Sequence, residues 1–157
     1  RDVAPSRGLG DVYKRQGEMA GKVLPEAFTC FTLNLDNLSE LTKRFGYTVG
    51  DGVLKDFAGL VQLMGDTEGM RGYNGVGRFV VFFEECSSKK AAAMIRILDN
   101  QVEEYNSLNP EYPIRYTAAW ATTEETDTYE IRELLRLSQK KWKQMEKEKK
   151  DKTEEET

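Results

Sequence analysis

The chain has 157 residues, of which 39% are hydrophobic and 32% are charged, and this balance suits one globular domain with solvated ends. Its net charge of −4 argues against a general nucleic-acid or anionic-membrane surface, because both attract clustered positive charge. The chain has no His and only two well-separated cysteines, Cys30 and Cys86, which excludes a CxxC zinc site, a His-based metal site and a His-dependent catalytic pair.

Residues 1–16 show no helical or alternating period and lack the apolar stretch of a signal peptide. Residues 7–16, Arg-Gly-Leu-Gly-Asp-Val-Tyr-Lys-Arg-Gln, resemble the translated sequencing-adaptor tails of metagenome-derived genes. We therefore predict that residues 1–16 are a non-native or disordered tail. On this interpretation the natural N-terminus is missing, and a sensor or membrane region is a candidate for what precedes the chain.

The first predicted strand covers Ala27 to Leu35, where bulky residues alternate with small or polar ones. It ends at Asn34-Leu35-Asp36, and either Asp36 or Asn37 is expected to cap a helix over Leu38 to Phe45 that Gly46 closes. A second helix is predicted to end at Gly65, and one apolar stripe runs along it: Val49, Val53, Leu54, Phe57, Leu60, Val61 and Met64.

A β-hairpin is predicted to bend at Asn74-Gly75, because both residues tolerate the positive φ that a tight primed turn requires. Its outgoing strand, Phe79 to Phe83, is apolar at every position and ends before Glu84. A strand that is apolar on both faces belongs in the middle of a sheet, with cover on each side.

A third helix is expected to begin at Ser87 or Ser88 and to stop at Asn109-Pro110, and it is followed by a last strand over Ile114 to Ala121. The final helix opens at Thr126 to Asp127, and its predicted apolar face comprises Ile131, Leu134, Leu135, Ser138, Trp142 and Met145. From Lys140 onward the charges nearly balance, so we predict that residues 147–157 leave the core and fray in water. A linker to a following domain is the alternative.

The predicted order is β-α-α-β-β-α-β-α, which indicates an α+β fold. Helices are predicted around a mainly antiparallel central sheet. Without the extra helix at each side, the plan is the split β-α-β arrangement of a ferredoxin-like sheet, with helices packed on one face. The five residues from Gly75 to Phe79 (Gly-Val-Gly-Arg-Phe) resemble the Gly-Gly-Asp/Glu-Glu-Phe turn of the GGDEF domain, the diguanylate cyclase fold. The resemblance spans Phe28 to Glu146 and implies one such domain over residues 17–146, with the palm plan shared by class III nucleotide cyclases.

In the family that this chain resembles, carboxylates hold the divalent ions of a two-metal phosphoryl transfer. The first strand of the family ends in a metal-binding Asp, where this chain has Asn34, while Leu35 retains its backbone carbonyl and Asp36 matches the second Asp. In the turn, Gly77 and Arg78 stand where the family has two further carboxylates. Because Mg²⁺ needs anionic oxygen ligands and a fixed cation repels it, we expect no metal site and no catalytic residue here.

The guanine-selecting segment of the family is similar to residues 42–51 of this chain, which keep two glycines and Asp51 but replace the base-reading Asn by Thr42. Asp51 is either an acceptor for a guanine edge or a helix N-terminal acid. Glu146 stands at the phosphate-contacting Lys, and the product-inhibition motif is absent from residues 66–69. The candidate nucleotide-binding residues are Asn34, Leu35, Asp36, Thr42, Asp51, Gly75, Gly77 and Arg78.

The chain keeps the turn and strand pattern that resembles the family but not the three carboxylates. We therefore predict a catalytically inactive GGDEF-like domain, serving as a regulatory, nucleotide-sensing or interaction module of a bacterial signalling protein in the cytoplasm. Arg78 either pairs with a nucleotide phosphate or, the preferred interpretation, is a polar residue on the hairpin rim. Implied partners are GTP or cyclic di-GMP, a second copy of the chain, and sensor or effector domains, but no nucleic acid.

Two alternatives stay open. One is an active diguanylate cyclase that makes cyclic di-GMP from two GTP with Mg²⁺, using substitute ligands such as Asp36 and Asp51. The other is a dimerising spacer between sensor and effector domains, in which the charged C-terminal helix couples the two. We also expect both cysteines to be reduced thiols.

Overall fold

The computed structural model describes residues 27–64, 70–73, 77–126 and 130–156. The strands are β1 (Thr29–Leu35), β2 (Met70–Tyr73), β3 (Arg78–Phe83) and β4 (Tyr116–Thr122). The helices are α1 (Leu38–Phe45), α2 (Tyr47–Gln62), α3 (Ser88–Leu108) and α4 (Ile131–Glu156), with a short 3-10 turn at Thr123–Glu125. The observed order confirms the predicted succession β-α-α-β-β-α-β-α.

The four strands form one antiparallel sheet in the order β2-β3-β1-β4. Strand β3 lies between β1 and β2 in the sheet. The helices α1 and α2, which connect β1 to β2, therefore cross β3, a strand that comes later in the chain. This is the split β-α-β plan, and it confirms the predicted ferredoxin-like α+β fold.

The central strand β3 contributes alternate side chains to two separate cores, as a strand period of two residues requires. Phe79, Val81 and Phe83 pack with buried residues of α1, α2 and α3. Val80 and Phe82 pack on the other face with α4 residues that include Leu134. Cover on both sides of β3 is therefore confirmed, and helices lie around the sheet as predicted, with α4 on the second face.

Strands β2 and β3 pair antiparallel, as the predicted hairpin requires, and Tyr73 pairs with Phe79. The predicted turn residues Asn74 and Gly75 lie outside the described residues.

The predicted helix caps are partly confirmed. Asn37 is the N-cap of α1, but its side chain makes no capping bond. Instead its amide donates to Pro113 O over 2.7 Å and its oxygen accepts from the Arg115 N–H over 3.2 Å. Asn37 thereby fixes the loop before β4 against the start of α1. Ser87 caps α3 as expected, and its hydroxyl accepts from the Lys90 N–H.

The C-terminal helix α4 is described from Ile131, and its backbone stays helical to Glu156. The predicted helix start at Asp127 lies outside the described residues. The side chains of residues 147–152 are exposed, and the fraying of this charged segment stays a prediction.

Two lysines of α4 explain why the charged helix stays on the domain. The ammonium of Lys141 donates to Trp120 O and that of Lys149 donates to Tyr116 O, each over 3.1 Å. The two lysines are eight residues apart on α4, which is a rise of about 12 Å. The two carbonyls are four residues apart on β4, about 13 Å, so the spacing of the lysines matches that of the carbonyls. Because β4 is an edge strand, these lysines satisfy carbonyls that no neighbouring strand can reach.

Candidate functional site

Three polar side chains meet near the end of β1. Asn34 is paired with Arg78 on β3 and with Thr117 on β4. Directly paired residues of an antiparallel sheet project from the same face. That face is the one covered by α4, since Thr32, two residues before Asn34, hydrogen-bonds to Ser138 of α4 over 2.7 Å.

Arg78 is half-buried beneath α4 rather than placed on the hairpin rim. Its guanidinium carbon lies 4.1 Å from the centre of the Trp142 ring, within the range of a cation–π contact. Trp142 is only 3% exposed. The preferred sequence-based interpretation of Arg78 as a rim residue is therefore wrong, because α4 reaches over the strand and supplies an aromatic surface for it.

Asp36 is held by neighbours on three sides. One carboxylate oxygen accepts from the Asn34 amide over 2.8 Å, and the other accepts from the Thr117 hydroxyl over 2.5 Å. The Lys149 ammonium lies 3.9 Å from the second oxygen and donates to the Thr117 hydroxyl over 2.7 Å. In this arrangement a protein ammonium group neutralises Asp36, and both of its oxygens are already engaged.

Gly77 adopts a backbone conformation that favours glycine. Its φ is +88°, and a Cβ added there would lie 3.3 Å from both the Leu35 carbonyl oxygen and Cδ2 of Leu38. The Leu35 N–H donates to Gly77 O over 2.8 Å, which fixes the turn against β1. The position that resembles a carboxylate of the family turn is thus a close backbone contact, with no room for an unstrained side chain.

The residues that resemble a guanine-selecting segment contact each other. A Cβ at Gly50 would lie 2.3 Å from the Thr42 hydroxyl oxygen, so α1 and α2 approach closely at this pair. Asp51 pairs with Lys55 one turn later on α2, with an N–O distance of 3.1 Å. Asp51 lies in the second turn of α2, which begins at Tyr47.

A cleft of about 790 Å³ opens beside the strand-end cluster. Its lining combines polar residues of β1 and α4 with apolar residues of α3 and the β4 edge: Asn34, Asp36, Val102, Ile114, Arg115, Tyr116, Thr117, Glu146, Lys149 and Lys150. Glu146, at the position that resembles the phosphate-contacting Lys, lies 3.7 Å from Lys150. Two lysines that follow Glu146 on α4 therefore supply cationic groups to the same cleft.

Burial raises the pKa values of both thiols and of Tyr116, and so disfavours their ionised forms. Burial raises the pKa of Cys30 to about 12, although a contact with the Ser138 hydroxyl partly opposes it. Burial also raises the pKa of Cys86. The pKa of Tyr116, which lines the cleft, is raised by burial and by its hydrogen bond to Asp99. Both cysteines are free thiols.

The structure brings together Asn34, Leu35, Asp36, Gly77 and Arg78 among the predicted site residues. Thr42 and Asp51 instead contact neighbours on α1 and α2, and Gly75 lies outside the described residues. Sequence reasoning missed Thr117 and Lys149, and it placed Trp142 on the core face of its helix without linking it to Arg78. Thr117 is a neighbour of Asn34 because of the register in which β1 pairs with β4, and no local sequence pattern predicts that register.

Within the described ranges, no three acidic, Cys or His side chains converge as a metal site would require. The same residues contain no helix with the length and apolar character needed to cross a membrane.

The sequence model of the family described as "Diguanylate cyclase, GGDEF domain" matches residues 13–152. A search of curated protein sequences gave no match. Among solved structures, the chain is similar to the active GGEEF domain of a diguanylate cyclase from Vibrio cholerae, with a TM-score of 0.76 and 17% identity. That match covers 94% of this chain and 93% of the other.

Two further solved structures share the fold. The GGDEF domain of DgcB from Caulobacter crescentus, in complex with c-di-GMP, has a TM-score of 0.70 and 13% identity, covering 87% of this chain and 81% of that one. The FimX GGDEF domain from Pseudomonas aeruginosa has a TM-score of 0.68 and 16% identity, covering 88% and 85%.

Proposed function

The chain belongs to the GGDEF family of diguanylate cyclase-type domains, and from that premise we propose that it is a catalytically inactive member. It serves as a regulatory, nucleotide-sensing or interaction module of a bacterial signalling protein, and its place of action is the cytoplasm. Sensor or effector domains of the same protein supply its input and output.

The observation that carries this proposal is the pairing of Asn34 with Arg78 at the site. Condensation of two GTP molecules requires divalent ions, held by anionic oxygens, to neutralise the triphosphate charge. Here an amide and a guanidinium face each other across β1 and β3, and Gly77 next to them has no side chain. A fixed cation at this point repels Mg²⁺ and offers it no ligand.

The cyclase alternative relies on Asp36 and Asp51 as substitute ligands, and the geometry does not favour it. Asp36 is hydrogen-bonded through both oxygens and lies beside Lys149. Asp51 is paired with Lys55 on another element, α2. Each carboxylate would have to give up a contact that it already makes in order to bind a metal ion.

Incubating the purified chain with GTP and Mg²⁺ or Mn²⁺ tests the proposal, with chromatography to detect cyclic di-GMP. We expect no product from the parent protein, because the metal ligands are missing. The Asn34→Asp, Arg78→Glu double variant serves as the informative comparison, since it restores two acids at the site. Accumulation of cyclic di-GMP by the parent would refute the proposal, and loss of that activity in Asp36→Ala would establish the cyclase alternative.

The fold neighbour from Caulobacter crescentus was solved in complex with c-di-GMP. On that basis we propose GTP or cyclic di-GMP as the ligand class of this domain, bound without turnover. A second copy of the chain is a further proposed partner, and analytical ultracentrifugation of the purified chain with and without cyclic di-GMP would measure that association.

A further inference from the structure

Strand β4 lies at an edge of the described sheet, and side chains rather than another strand bond its outward backbone groups. The Tyr116 and Trp120 carbonyls accept from two lysines of α4, and the Thr122 N–H donates to Glu125 over 3.0 Å. Residues 116, 120 and 122 lie two or four positions apart, so their backbone groups all point away from β1. Charged side chains therefore cover this edge.

The sequence of β4 itself lacks the features that keep an edge strand from pairing. Natural edge strands carry charged residues or prolines, because an open row of N–H and C=O groups pairs readily with another chain. The seven residues of β4 (Tyr-Thr-Ala-Ala-Trp-Ala-Thr) include no charged residue, proline or glycine. Short uncharged segments of this composition are prone to strand addition. Protection of this edge therefore comes from outside the strand.

The half of α4 that carries Lys149 is held on the sheet by polar contacts. Every side chain from Lys143 to Lys152 is exposed or half-buried, whereas Trp142 just before them is 3% exposed. Lys149 donates to Tyr116 O and to the Thr117 hydroxyl, and its side chain is 55% exposed. Contacts as exposed as these contribute little, so this half can separate from β4 while the first half stays packed.

We infer that the outer edge of β4 is a pairing surface for a second copy of this chain, and that the charged half of α4 covers it. Two copies of β4 can pair antiparallel about a two-fold axis at Ala118, which places Tyr116 of one copy opposite Trp120 of the other. Both aromatic side chains are half-buried on the same face of the sheet. Aromatic pairs on neighbouring strands stabilise antiparallel pairing, so the strand is complementary to itself.

The centre of this pairing is already open. Ala118 lies between the two carbonyls that the lysines cap, and its outward N–H and C=O receive no hydrogen bond from any side chain of the described residues. Pairing along the whole strand then requires both lysines to leave. The inference rests on the proposed function, because it assigns a surface to the association with a second copy proposed there.

Sedimentation equilibrium of the full chain over a range of concentrations tests the inference. The Lys141→Met, Lys149→Met double variant keeps the aliphatic stems and removes both caps. We expect it to self-associate about tenfold more tightly than the parent or better, because the uncovered edge gains backbone hydrogen bonds. Lys143→Met, Lys147→Met is the matched control, since it makes the same chemical change at two exposed positions of α4. We expect the control to associate as the parent does.

Hydrogen exchange followed by NMR locates the contact without a further substitution. In the concentrated Lys141→Met, Lys149→Met variant, the outward amides of Ala118 and Trp120 should exchange about tenfold more slowly than in the dilute variant. Adding Ala118→Pro to this variant should return self-association to the level of the parent. Proline removes the outward N–H of an edge strand without breaking a bond to β1. Circular dichroism establishes that this triple variant folds, and if it does not fold, the exchange measurement decides.

Three outcomes overturn the inference. They are equal self-association of the two double variants, tighter association that leaves the outward amides of β4 unprotected, and a folded Ala118→Pro variant that associates no more weakly. Failure here is distinguishable from failure of the proposed function. Cyclic di-GMP formation by the parent refutes the inactive cyclase and leaves the association results unaffected, whereas the three outcomes above refute only the β4 surface.

Discussion

At the scale of single residues, Gly77 and Arg78 are both constrained by their surroundings. Gly77 has φ of +88°, and a Cβ added there would lie 3.3 Å from the Leu35 carbonyl oxygen, so a side chain at this position is strained. Arg78 is equally constrained, because it is paired with Asn34 and stacked on Trp142. Both residues, at positions that resemble carboxylates of the family turn, take part in packing.

Gly77→Glu is expected to destabilise the protein by about 1–2 kcal/mol, because a residue with a Cβ is strained at this positive φ. Urea denaturation followed by circular dichroism measures the change. Gly52→Ala is the matched control, since a Cβ there meets no atom within 4 Å and the residue lies within α2. We expect that control to stabilise the protein by up to about 1 kcal/mol. Equal stability of Gly77→Glu and the parent would contradict the strain argument.

At the scale of elements, α4 joins the sheet to the site. Its apolar residues cover one face of β1 and β3, and its lysines reach the outer carbonyls of β4. The charged half of α4 has little apolar surface to bury, so its docking depends on these polar contacts. Lys149 holds the end of this half against the cluster around Asp36.

Lys149→Met should lower the free energy of unfolding by about 0.5–1 kcal/mol, because it keeps the aliphatic stem and removes a partly exposed set of polar contacts. The measurement is urea denaturation at low ionic strength. Lys143→Met changes the same residue type at an exposed position of α4 and is expected to have a smaller effect. If both variants lost equal stability, the Lys149 contacts would not be what anchors this half of the helix.

At the scale of the whole molecule, two cores lie on opposite faces of one sheet, and groups buried in them resist ionisation. The pKa of Cys30 is raised to about 12 from 9.0, and the pKa values of Tyr105 and Tyr116 are also raised by burial and by hydrogen bonds to aspartates. Above pH 9 the unfolded chain therefore loses protons that the folded chain retains. Stability must fall as pH rises through this range.

We expect the free energy of unfolding to be nearly constant from pH 7 to about 8.5 and to decline above pH 9, with Cys30 contributing up to about 1.4 kcal/mol per pH unit. Urea denaturation across this range measures the decline. Cys30→Ala should be less stable at every pH because it leaves a cavity, but its decline between pH 9 and 12 should be shallower. Parallel curves for the variant and the parent would refute the assignment to Cys30.

Local patterns were sufficient to predict every element of the fold. The apolar run of β3 predicted a central strand covered on both faces, and the stripe on α2 predicted its buried side. An error occurred where a distant segment decides the outcome. Arg78 was expected on the hairpin rim, and it instead stacks on Trp142 of α4.

The sequence by itself determined the order of elements, the GGDEF family and the presence of Asn34, Gly77 and Arg78 at positions that resemble family carboxylates. Periodicity, turn chemistry and residue identity are local properties of a chain. Only the tertiary structure decided what the replacements touch. It placed Trp142 on Arg78 and Lys149 beside Asp36, across separations of 64 and 113 residues. Contacts of that range depend on strand register and on how a helix lies across a sheet, which short-range patterns do not specify.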